Sequence, residues 1–297
     1  DYSVEGVGSD NSFDATVSEI IKTIDAASVS KDIPFSVFKL TGLASYSILK
    51  SANLNIDNLS PSEEEEYQLL IDRVTKICSH AAKQKVKIFI DAEDSWYQGT
   101  IDRIAELMML KYNKNEVIVY TTIQFYRWDR LSYLKNLYLT SEKQDFKLGI
   151  KLVRGAYMEK ERVEAIKNNY PDPIQKNKKS TDADFNKGID FCVDHLDRTS
   201  ICLGTHNEFS CLYLLKLMNE KSIDKNDDRI FFAQLLGMSD HISFNLSNGG
   251  YNVAKYVPYG PVKKVLPYLI RRAEENSAIT AQTKQEIQRI RTALKNS

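Results

Sequence analysis

Short runs of β-branched and aromatic residues alternate along the chain with longer runs whose apolar positions recur at helical spacing. The strand-like runs are Tyr2–Val4, Phe35–Leu40, Lys87–Ile90, Val117–Ile123, Leu148–Val153, Ser200–Leu203, Ile230–Leu235 and Asn252–Tyr256. Between them lie amphipathic stretches. Ala15–Ala27 turns Val17, Ile20, Ile21 and Ile24 to one side. Ser60-Pro61 opens a helix that Glu63–Glu66 favour electrostatically, with Leu70, Val74, Ile77 and Ala81 inward. Further helices are predicted over Thr100–Tyr112, Trp128–Leu139, Glu159–Asn168, Phe185–Leu196, Phe209–Met218 and Ser239–Leu246. The polar stretch before Phe185, with its PDPI string, reads as a surface loop.

The final helix follows the turn at Pro258, Gly260 and Pro261, with Val262, Val265, Leu266, Leu269 and Ala273 as its apolar positions. Eight strand–helix pairs predict an α/β chain folded as a distorted (β/α)8 TIM-type barrel. A doubly wound sheet is the alternative, but Gly6-Val7-Gly8 lacks the third glycine of a dinucleotide-binding turn.

Charge narrows the function classes. Forty basic residues balance forty acidic ones, which gives no nucleic-acid footprint. No apolar run reaches the length of a membrane-spanning helix. Cys78, Cys192, Cys202 and Cys211 form no CxxC pair and read as reduced thiols, and the four histidines form no HxxxH pair, so no metal site is expected.

The polar residues within or just after the strand-like runs are Lys39, Asp91, Gln124, Arg154, His206, Asn207, Gln234 and Tyr256. Each falls at the carboxyl end of its run, and in an α/β barrel those ends form the rim where sites are built. Taken singly, any of them has a structural reading, such as a Lys39–Asp91 ion pair. Together they favour a binding site. On the last helix Tyr268, Arg271, Arg272 and Glu275 share one stripe, and paired guanidiniums grip a carboxylate through parallel hydrogen bonds. Three cations (Lys39, Arg271 and Arg272) with tyrosine walls (Tyr157, Tyr256 and Tyr268) suit a small anionic ligand with an apolar body. The absence of a nucleophile–base pair favours redox chemistry carried by a cofactor over acyl transfer.

At these residues the chain resembles proline dehydrogenases, and most of all their eukaryotic mitochondrial branch. The resemblance rests on VFKLTGLA (Val37–Ala44), FIDAED (Phe89–Asp94), KLVRGAYMEKER (Lys151–Arg162), THN (Thr205–Asn207), QLLGM (Gln234–Met238) and YVPYGPVKKVLPYLIRRAEENS (Tyr256–Ser277). It implies a flavin-bearing barrel that oxidises L-proline to Δ1-pyrroline-5-carboxylate, by hydride transfer from C5 to FAD, and passes electrons to a quinone. It implies that Arg271, Arg272 and Lys39 hold the proline carboxylate and that Glu5 steadies one arginine. Tyr256, Tyr268 and Leu152 would lie beside the ring, with Tyr157 as a further wall and Asp91 supporting from behind. Gln124, Lys151, Arg154, Gly155, Ala156, Tyr157, Thr205, His206, Asn207, Gln234 and Glu275 would meet FAD.

The resemblance further implies a mitochondrial location on the matrix side with peripheral contact to the inner membrane. Residues 1–297 would then be one catalytic domain, a fragment lacking an N-terminal leader and helices. Lys151 and Arg154 are exchanged relative to many bacterial members, and Met158 replaces an aromatic residue. Three other readings remain: a hydroxyproline dehydrogenase, which Tyr256 disfavours by its bulk; a non-catalytic amino-acid sensor; and a Schiff-base aldolase using Lys39.

Overall fold

A computed structural model describes residue 2, residues 10–260 and residues 262, 265, 266 and 270. Among the described residues seven strands form one sheet in chain order: β1 (Phe35–Phe38), β2 (Lys87–Ile90), β3 (Val119–Gln124), β4 (Leu148–Val153), β5 (Thr199–Gly204), β6 (Ile230–Leu235) and β7 (Val253–Tyr256). All six pairings are parallel. The sheet curls on itself: the Phe35 ring of β1 meets the Phe231 ring of β6 edge-on at 4.8 Å. Of the expected first strand only Tyr2 is among the described residues. It bridges Tyr259 in parallel, beyond β7.

Alternation decides what faces where. Phe35, Val37, Phe89, Tyr120, Cys202 and Ala233 pack together on the concave side. Phe38, Ile88, Ile90, Ile123, Ile150, Leu152, Leu203 and Phe232 join the larger core beneath the helices. The amino-terminal end of the interior is closed by aromatic rings. Phe35 stacks on Phe89 at 4.3 Å, and Lys87 lies 4.9 Å over Phe231 while donating to the Asp228 carbonyl. Gly149 is needed here, because a Cβ would come within 2.6 Å of the Tyr120 ring that fills this end. The opposite end, at the strand carboxyl termini, carries the polar groups.

The outer layer holds α1 (Asp10–Ser28), α2 (Tyr46–Asn55), α3 (Pro61–Gln84), α4 (Ser95–Tyr112), α5 (Arg130–Lys143), α6 (Met158–Lys167), α7 (Lys178–Asp194), α8 (Glu208–Glu220) and α9 (Asp240–Asn248). Helix α3 begins where the Ser-Pro signal predicts, with a complete Ser60–Glu63 capping box. Two expectations need correction. Helix α2 is unpredicted from the pattern; Ser45 caps it, and Ile48, Leu49 and Ala52 bury its short apolar face. Helix α7 starts at Lys178, seven residues before Phe185.

The PDPI segment is a loop, as predicted, but a packed one. Ile174 is buried and bridges Arg127 antiparallel, Gln175 N–H donates to the Tyr126 carbonyl at 2.7 Å, and Trp128 N–H donates to the Pro173 carbonyl. Its single apolar residue supplies the anchor. At the last helix, Val265 is buried while Val262 and Leu266 are exposed, so of the expected inward positions that are described only Val265 is inward; Leu269 and Ala273 lie outside the described residues.

Candidate active site

Asp91, just past β2, is the hub of the carboxyl-end cluster. It accepts from Lys151 Nζ at 2.6 Å, from the Tyr256 hydroxyl at 2.9 Å and from the Thr122 hydroxyl at 3.3 Å. The donors come from β4, β7 and β3, so one carboxylate ties strands far apart in the chain. Burial alone would raise its pKa. The charges of Lys151 and Lys39, with hydrogen bonds from Lys151 and Tyr256, outweigh that and hold it below the ordinary aspartate value. The Lys151 ammonium also sits 5.0 Å from the centre of the Phe89 ring and 4.8 Å from that of Tyr256, two cation–π contacts. Lys39 is buried and caps a one-turn 3-10 helix at Leu40–Gly42. It acts on Asp91 by charge, while the direct ion pair of Asp91 is with Lys151.

Gln124 ends β3 and donates to the Glu93 carbonyl at 2.7 Å. Glu93 in turn accepts from Thr41 N–H and from the Thr41 hydroxyl, which fastens the β1 exit to the β2 exit. On the β4 and β5 side, Arg154 lies 4.2 Å over the Phe185 ring and donates to Asp182, the Thr205 hydroxyl and Ser210 Oγ. His206 Nδ1 pairs with Ser239 Oγ at 3.0 Å. Asn207 caps α8 by accepting from Ser210 N–H. Gly155 has φ +121°, and a Cβ there would meet the Tyr126 ring at 2.5 Å, so its glycine is required by Tyr126. Ala156 is exposed and Tyr157 half-buried beside it.

Lys39, Asp91, Gln124, Lys151 and Tyr256 therefore come together on the concave side, and Arg154, Thr205, His206 and Asn207 at the adjoining exits of β4 and β5. Two expected residues do not face the interior. Leu152 is fully buried in the strand–helix core, because it neighbours inward-facing Lys151 and alternation sends it the other way. For the same reason Gln234, next to inward-facing Ala233, turns towards α9. It accepts from Ser243 and donates to the Thr205 carbonyl, bracing that turn. Glu5, Tyr268, Arg271, Arg272 and Glu275 lie outside the described residues. Sequence reasoning missed Thr122 and Glu93. Thr122 was accessible, since it lies two residues before Gln124 on the same strand face; Glu93 acts through tertiary contacts that no spacing reveals.

The Cys202 thiol lies on the concave side, pushed up to about 12 chiefly by burial. All four cysteines are free and buried. Among the described residues no group of three or more metal-ligating side chains occurs. No helix among them is long and apolar enough to cross a membrane.

A curled parallel sheet sheathed by helices, with a charged cluster at the strand carboxyl ends, defines an α/β-barrel protein with its candidate site on the carboxyl rim. The family model for proline dehydrogenase matches residues 1–285, and the chain belongs to that family. It is 38% identical over 241 residues to the mitochondrial proline dehydrogenase 1 of Drosophila melanogaster, covering 78% of this chain and 35% of that protein. It is 33% identical over 288 residues to the carbapenem antibiotics biosynthesis protein CarD of Pectobacterium carotovorum, 96% of this chain and 73% of that one. It is 30% identical over 312 residues to the hydroxyproline dehydrogenase of Xenopus laevis, 95% of this chain and 67% of that one. Among solved structures, proline utilization A from Bdellovibrio bacteriovorus superposes with a TM-score of 0.77 at 19% identity, over 91% of this chain and 29% of that one. The chain thus spans about a third of the Drosophila relative and of the solved chain.

Proposed function

We propose that this protein oxidises L-proline to Δ1-pyrroline-5-carboxylate with FAD as its cofactor. Family membership and the Asp91-centred pocket support the reading, and the pocket is the observation that carries it. The charges of Lys151 and Lys39 hold the Asp91 pKa down, and the Tyr256 ring lies 4.8 Å from Lys151 Nζ with its hydroxyl donating to Asp91. This arrangement offers cationic donors to a carboxylate and an aromatic face to a small apolar ring.

The residues present fit the cofactor. A cationic and hydrogen-bonding donor set (Lys151, Arg154, His206, Gln124) lies along adjoining strand exits, as a planar dinucleotide with a pyrophosphate requires. FAD, when bound, would supply the acceptor for the hydride leaving proline C5, while the amine nitrogen gives up its proton to solvent. The chain's own part is positioning. Arg271, Arg272 and Lys39 grip the carboxylate, with Glu5 steadying one of the arginines. Tyr256 and Tyr268 hold the ring, with Tyr157 closing the wall. Asp91 balances the buried cations and orients Tyr256. Gln124, Lys151, Arg154, Gly155, Ala156, Thr205, His206, Asn207 and Glu275 form the cofactor cradle, and Gln234 contributes by fixing the Thr205 turn. A quinone would then accept the electrons at the face of the inner mitochondrial membrane; the names of several relatives support the mitochondrial location.

A visible absorption spectrum before and after anaerobic L-proline tests this. Flavin bands that bleach are expected. Flavin that stays oxidised refutes proline as the substrate, and failure to bind FAD at all refutes the cofactor. A second reading, oxidation of hydroxyproline, is favoured by the Xenopus relative. Tyr256 argues against it, because its ring fills space that a ring hydroxyl needs.

A further inference from the structure

The β4–α6 exit carries Gly155, Ala156 and Tyr157, yet α6 has almost no apolar anchor. Only Glu161 and Ala165 are buried along its length. Glu161 is fully buried, and a buried carboxylate persists only where it is hydrogen-bonded. Its Oε1 accepts from Ser95 N–H at 2.8 Å and from the Tyr126 hydroxyl at 3.4 Å, and its Oε2 accepts from the Ser95 hydroxyl. Ser95 is the first residue of α4, four residues past Asp91, and Tyr126 lies two past Gln124 with Gly155 against its ring. The preceding residue reinforces the join. Lys160 Nζ pairs with Asp94 at 2.7 Å and lies 5.1 Å over Trp96 and 5.9 Å over Tyr157. Two adjacent side chains thus clasp the start of α6 to the exits of β2 and β3. Burial raises the Glu161 pKa, as expected for a carboxyl held in a dry joint by few donors.

We propose that Glu161 is a positioning residue for the substrate pocket: by clasping Ser95 and Tyr126 it fixes the Gly155–Tyr157 wall relative to Asp91 and Gln124. The inference rests on reading that pocket as the proline site. In the full chain, E161A is expected to raise KM for proline about fivefold or more while kcat stays within about twofold, the effect of losing one charged hydrogen-bond joint. E161Q keeps an acceptor for Ser95 N–H and gains a donor for the Ser95 hydroxyl, so it is expected to restore KM to within about twofold of wild type. S95A, which removes one leg, is expected to fall between them, and it carries the test if E161A does not fold.

A merely structural role would lower kcat through lost active protein and leave KM unchanged. That result, an unaltered E161A or an E161Q no better than E161A would overturn the proposal. If the wild-type protein does not oxidise proline, the functional reading fails separately, and the clasp is read by hydrogen–deuterium exchange. Faster exchange over residues 92–98 and 154–160 in E161A, reversed in E161Q, supports it; unchanged exchange overturns it.

Discussion

Removing the charge of Asp91 is the most direct probe of the pocket. Asp91 accepts through both oxygens, from Lys151 and Thr122 on Oδ1 and from Tyr256 on Oδ2, so D91N removes the charge together with one of the two acceptors. The side chains of Asp91 and Lys151 are only 11% and 9% exposed, and Lys39 is buried alongside. Leaving buried cations without their counter-ion costs about 3–5 kcal/mol. At roughly 2–4 °C per kcal/mol for a domain of this order, the melting temperature should fall by roughly 6–20 °C. K151M should cost less, since Asp91 retains Lys39, Tyr256 and Thr122. The D91N/K151M double variant should show a coupling of about 0.5–3 kcal/mol.

The pH dependence has a definite sign. The folded-state pKa of Asp91 is depressed, so its contribution is present above the unfolded value and is lost as pH falls through the folded one. The gap between wild type and D91N should therefore close below about pH 4. Urea titrations across pH would check both effects. A D91N protein within about 1 kcal/mol of wild type at pH 7, with the same acid limb, would refute the assignment of Asp91 as the charge balance.

Three further outcomes follow from the same structure and family. R271A or R272A should lose about 1.5–3 kcal/mol of substrate interaction with flavin content near normal; unaffected proline kinetics would refute the carboxylate grip. Y256S should narrow the preference for proline over hydroxyproline, measured as the ratio of kcat/KM values, and an unchanged ratio would contradict Tyr256 as the discriminating wall. G155A should destabilise the protein by about 1–3 kcal/mol, because the added Cβ meets the Tyr126 ring at a backbone conformation unfavourable to L side chains; a melting curve that superposes on wild type would dismiss the close contact.

The alternation of strand-like and amphipathic runs was enough to predict an α/β barrel, because period 2 and period 3.6 are local properties of the chain. It also located Lys39, Asp91, Gln124, Arg154, His206 and Tyr256 at strand carboxyl ends, where the structure has them. The motifs carried the family. What was missed is held by contacts distant in sequence: α2 relies on its neighbours for a short apolar face, and the packing of the PDPI segment relies on hydrogen bonds with Tyr126 and Trp128. Facing also required the register. Leu152 and Gln234 stand beside correctly placed residues, and only strand alternation around Lys151 and Ala233 turns them outward.

The sequence by itself determined which residue types reach the rim, since that depends on position along each strand. The tertiary structure alone decided their pairing. Asp91 takes Lys151 from 60 residues away and Tyr256 from 165 residues away, and Glu161 reaches Ser95 across 66. Such pairs are set by closure of the sheet and by the cost of burying unpaired charge, neither of which leaves a local pattern to read.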